Sequence, residues 1–131
     1  MANSVAVQIM EDGARNAIVK LDGILDTSNE AVVTKITPAS FSPTPTQFRI
    51  DRVSYSISSQ LVVQLQWHAT TNVVALALAQ GQEELVNFQY EGGLQNNSGA
   101  GKNGAIDLVT TGWASGTQTY SIVVWLVKQG I

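Results

Sequence analysis

From Ser4 to Val127, apolar residues recur with a period of two in one short segment after another. Strict alternation places successive side chains on opposite faces, so the chain is restricted to β-structure. The first segment, residues 4–10, puts Val5, Val7 and Ile9 on one face. Asp12-Gly13 then signals a hairpin, and residues 17–25 form the returning strand. A turn at Asp26–Asn29 leads to a third strand over 31–36, which Pro38 ends. Residues 40–46 carry Pro43 and Pro45 and form a crossing loop, because proline cannot donate to a central ladder.

The fourth strand, 47–57, changes phase. Phe48 and Ile50 share one face, whereas Val53, Tyr55 and Ile57 share the other parity, so a bulge is expected near Asp51. Further strands are expected over 61–67, 85–90, 104–110 and 119–127. Residues 73–79, VVALALA, have helix-forming composition. Gly81 interrupts any helix, and Leu76 and Leu78 alternate with alanines, so this segment too is assigned as a strand. About nine strands separated by turn signals indicate an all-β fold, an antiparallel β-sandwich or jelly roll. The length of 131 residues suits one domain spanning 1–131.

Composition narrows the function. Charged residues make up 13% of the chain, about half the usual ~25%. The cations Arg15, Lys20, Lys35, Arg49, Arg52, Lys102 and Lys128 form no run, and the net charge is −3. A general nucleic-acid binder needs a basic stripe to neutralise phosphates, so none is expected as a partner. No apolar run approaches the ~20 residues of a membrane helix, and the N-terminus lacks the basic region of a signal peptide. Cysteine is absent, which excludes disulfides and thiolate metal sites and fits a reducing compartment.

Several motifs suggest chemistry and fail on context. Ser98–Gly104, SGAGKNG, contains a literal G-x-G-x-x-G. A dinucleotide fingerprint works by opening a helix towards a pyrophosphate, but residues 104–110 read as a strand. A P-loop fails because Asn96 stands at its first glycine and Asn103 follows Lys102. The expected role is a connecting loop that contacts a partner. Asn96-Asn97-Ser98 is formally a glycosylation sequon, without a signal peptide to give it meaning. Asp26-Thr27-Ser28 resembles the catalytic turn of aspartic proteases, which pair two aspartates across a homodimer. The flap and late glycine of that family have no counterpart, so Asp26 is assigned to a turn.

His68 is the only histidine and is expected to be structural, since one imidazole makes no metal cluster. Trp67 and Trp125 lie among apolar neighbours and are expected in the core. Trp113, in TGWASG, is expected to be more exposed. Glu83 and Glu84 are adjacent on a strand and point to opposite faces, which excludes a catalytic pair. No catalytic, metal or cofactor residue is assigned, no cofactor is expected, and the chain is not expected to be an enzyme.

Residues 9–16 (IMEDGARN), 18–28 (IVKLDGILDTS), 49–57 (RIDRVSYSI), 65–70 (LQWHAT) and 92–101 (GGLQNNSGAG) resemble small virion structural proteins of tailed bacteriophages. In gross form the chain looks like the small β-sandwich or jelly-roll proteins that decorate and cement capsids. The resemblance implies attachment to the major capsid protein on the virion surface, after synthesis in the host cytoplasm. It also implies self-association as a homotrimer. Residues 1–4, 41–46 and 91–103 are then candidates for reaching a neighbour. A tail, neck or baseplate protein would share this composition, and a carbohydrate-binding β-sandwich module would use an exposed tryptophan such as Trp113.

Overall fold

The computed structural model describes residues 3–78 and 80–130. Nine strands run in order: β1 (Ser4–Asp12), β2 (Asn16–Leu25), β3 (Val33–Ile36), β4 (Gln47–Ile57), β5 (Val62–Trp67), β6 (Val73–Leu78), β7 (Glu83–Asn87), β8 (Ile106–Thr111) and β9 (Gln118–Gln129). Short 3-10 turns occupy Pro38–Ser40 and Gln89–Glu91.

The strands form two antiparallel sheets, β1-β2-β9-β4-β7 and β3-β8-β5-β6. From β2 onward the chain crosses between the sheets at every step except the β5–β6 hairpin. This is the strand order of a jelly roll, with β1 added outside β2.

The alternation seen in sequence is the inside–outside alternation of these sheets. Val19 and Leu21 on β2, Phe48, Ile50 and Val53 on β4, and Ile122 and Val124 on β9 are fully buried. They face Val63, Leu65 and Trp67 of β5 and Ile106 and Leu108 of β8 in one core. Each such side chain contributes about 1.5–3 kcal/mol on burial. The expected change of phase on β4 is present: the register to β9 shifts between Ile50 and Arg52, leaving Asp51 as the extra residue.

Some boundaries differ from expectation. Strand β3 begins at Val33 rather than residue 31. Strand β7 covers Glu83–Asn87 rather than 85–90, since its length is set by pairing with Arg52–Ser56 of β4. Phe88 then leaves the ladder for a 3-10 turn. Strand β6 is a strand as expected, and Ala79 at its expected end lies outside the described residues.

One buried cation ties the β1–β2 hairpin down. Lys128 donates from Nζ to Asp12 Oδ1 at 2.6 Å and to the Gly13 carbonyl at 2.7 Å. It also lies 5.7 Å from the Phe41 ring, which meets Phe48 edge-on at 5.1 Å. The Lys128 hydrogen bond, with one from the Ser42 amide, holds the Asp12 carboxyl below its ordinary value. Lys128→Met retains the bulk but leaves Asp12 and the Gly13 carbonyl without this donor. The expected result is a lower melting midpoint and faster amide exchange over residues 12–16, measured by hydrogen–deuterium exchange. An unchanged exchange pattern would mean the hairpin does not depend on this contact.

Candidate functional site

Two features of the fold have chemical or binding potential. The first is a polar cluster on the outward side of the four-stranded sheet. Ile106 and Leu108 point into the core, so Asp107 between them points out, yet it is only 2% exposed. Its neighbours cover it. Thr34 Oγ1 on β3 donates to Asp107 Oδ1 at 2.6 Å, and Asn72 Nδ2 donates to Oδ2 at 2.9 Å. His68 Nδ1 lies 2.8 Å from the same Oδ2. An ionised carboxylate only accepts, so Nδ1 carries the proton and Nε2 is the other nitrogen, on a side chain that is partly exposed.

Burial would raise the Asp107 pKa, but the hydrogen bonds from Thr34, His68 and Asn72 outweigh it and hold the group below its ordinary value. Asn72 is itself fixed, accepting from the Ala69 amide at 3.0 Å and donating to Gln66 Oε1 at 3.1 Å. The arrangement has two parts of a base-and-orienter pair. The hydroxyl it brings to the carboxylate, that of Thr34, spends its proton on Asp107 and not on His68. The cluster therefore fixes the β3–β8–β5 surface and the loop after β5. His68 accordingly has a positional role.

The second feature is β1. All nine of its residues are exposed. Its register with β2 places Val5, Val7 and Ile9 opposite Gly23, Leu21 and Val19, on the inward side. They are nevertheless 41–45% exposed, because the second sheet has one strand fewer and ends at the short β3. Strand β1 is also the outer edge of its sheet, with one neighbour only.

The Gly99–Gly104 loop runs into β8, not a helix. Two of its three glycines have local reasons. Gly101 and Gly104 have φ of +84° and +82°, and a Cβ on them would strike Thr70 and the Thr46 carbonyl respectively. Asp26 and Thr27 form a turn whose amides donate to Asn3 Oδ1 at 3.0 and 3.1 Å. Asn3 is thereby bound to its own domain. Within the crossing loop, Phe41 and Pro45 are buried, so the residues left to reach a neighbour are Ser42–Thr44 and Thr46. Glu84 accepts from the Tyr55 hydroxyl at 2.7 Å, while adjacent Glu83 points to the other face.

Trp67 is in the core at 1% exposure, as expected. Trp125 is not. It pairs with Ile18 and Arg52 on the outward side of the five-stranded sheet, half-buried, with the Arg52 guanidinium carbon 4.5 Å from its ring centre. Trp113 is more enclosed than expected. It packs against the core, and its Nε1 donates to the Gly116 carbonyl at 3.0 Å.

No family model matches the chain, and no curated protein matches it. Among solved structures the chain is similar to one described as the crystal structure of PirA. The identity is 14%, over 90% of this chain and 99% of that one, with a TM-score of 0.39. A likeness at that level carries no argument about function.

Proposed function

We propose that this chain is a structural protein of a tailed-bacteriophage virion: a capsid decoration protein that binds the outside of the major capsid protein shell and stabilises it. In this reading it acts without catalysis, self-associates as a homotrimer, and resides on the capsid surface. The reading rests on the sequence resemblance, and the single structural observation that supports it is β1. An edge strand presents a row of unpaired amides and carbonyls, and folded proteins usually blunt such edges with charge, proline or brevity. Two of the other edges are blunted in this way: β3 has four residues, and β7 has five and begins with two glutamates, whereas β6 is an uncharged edge of six residues. Strand β1 has nine residues, no proline, and no charge before Glu11. A protein that works by seating on another chain has use for such an edge.

Val7→Lys puts a charge on this edge at a position already 45% exposed. The lysine stem can cover the apolar surface there while its charged end stays in solvent. The expected result is a normally folded variant that co-sediments with capsids about tenfold less well or worse. Undiminished co-sedimentation would remove β1 from the docking account.

A further inference from the structure

The outward face of the five-stranded sheet contains a depression. It has a volume of about 270 Å³, and Glu11, Asn16, Ile18, Arg52, Gln89 and Trp125 line it. We propose that it binds a single acidic sugar residue, a pyranose carrying a carboxylate, within a glycan.

Glu11, Ile18, Trp125 and Arg52 form one continuous row across β1, β2, β9 and β4. A register shift immediately precedes each end of that row: one between Ile9 and Glu11, the other between Ile50 and Arg52. A bulge re-aims the side chain after it and bends its strand. Here two bulges put Glu11 and Arg52 on the outward face, either side of an apolar floor made by Ile18 and Trp125. Three strand spacings separate them, about 14 Å between backbones, so the two charges leave room between them.

Arg52 supplies the recognition. Its guanidinium carbon lies 4.5 Å from the centre of the Trp125 ring, and a guanidinium donates its hydrogen bonds in its own plane. Among the described residues it has no ion-pair partner, and its Nε is buried without an acceptor. Asp51, which also lines the depression, has its charge paired with Arg49 at 2.8 Å. A ligand carboxylate would give Arg52 the charged acceptor it lacks. Glu11, Asn16 and Gln89 are acceptors and donors suited to hydroxyls, and Ile18 with the Trp125 ring offers an apolar surface to the C–H side of a sugar. The volume falls just under the ~300–1,000 Å³ of sites for drug-sized ligands, which matches one ring rather than a chain. This site stands independently of the virion reading.

The probe is α-1,4-linked trigalacturonate, with the neutral galactose trimer and sodium acetate as comparisons, followed by NMR titration of the intact chain. The expected result is saturable binding of trigalacturonate, with shifts centred on Trp125 and Asn16, and binding of the neutral trimer about tenfold weaker or worse. Arg52→Gln is expected to remove that preference. If Arg52→Gln fails to fold, Asn16→Ala on the exposed hairpin serves instead and is expected to weaken binding severalfold. Equal affinity for both trimers would overturn the proposal. So would displacement of the trimer by equimolar acetate, absence of binding, or an unchanged affinity in the folded variant.

Discussion

Gly23→Ala is expected to destabilise the fold by about 3 kcal/mol, lowering the melting midpoint by about 10 °C. The residue lies mid-strand in β2, and its φ is not in the left-handed region, so the reason is space. A Cβ at Gly23 would sit 2.3 and 2.5 Å from Cε2 and Cζ of Tyr120, its partner across the β2–β9 ladder. The ring cannot yield easily. Tyr120 Oη donates to Glu30 Oε1 at 2.6 Å, and Glu30 is paired with Lys35 at 2.5 Å, both side chains being largely buried. Burial and the adjacent Glu30 push the Tyr120 phenol well above its ordinary range, so it remains a donor. Moving the ring would break this chain of charged contacts. Thermal denaturation of Gly23→Ala, Tyr120→Leu and the double variant tests the account. The two effects should be strongly non-additive, because the leucine removes the obstruction. Simple additivity would contradict the steric explanation.

Asp107→Ala is expected to cost about 3 kcal/mol at pH 7, since it leaves Thr34, His68 and Asn72 without their common acceptor. The effect has a pH dependence of definite sign. The Asp107 carboxyl lies below its ordinary value in the folded chain. Its contribution is therefore complete above the unfolded-state pKa of ~3.9 and is lost as the pH falls through the lower folded value. Denaturant unfolding at pH 7 and at pH 3 should show the gap between parent and variant narrowing in acid. A gap that stayed constant would mean the carboxylate is not the stabilising species.

The local architecture was legible because it is governed by local rules. Alternation located the strands, Pro38 ended β3, and the change of parity at Asp51 marked a true bulge. Trp125 was not legible, and β9 explains why. Ile122, Val124 and Leu126 face in, while Val123, Trp125 and Val127 alternate with them, so both faces of the strand are apolar in sequence. Only pairing with Ile18 and Arg52 identifies the outward face. The Asp107 cluster was hidden for a related reason. His68 and Asp107 are 39 residues apart and meet only because β5 pairs with β8, a long-range choice with no local signal. Gly101 and Gly104 of the SGAGKNG loop are set by contacts with Thr70 and Thr46, which the motif itself does not contain.

The exposed β1 edge and the Trp125 depression lie on the same sheet and meet at Glu11, which belongs to β1 and lines the depression. The claim on which the account turns is that the protein belongs to a virion shell. Quantitative mass spectrometry of purified particles, with the major capsid protein as the internal standard, tests it most directly. The account predicts a copy ratio of about one, or a simple fraction of it such as a trimer at symmetry axes would give. A handful of copies per particle would place the protein in the tail or neck, and its absence from particles would contradict the virion account altogether.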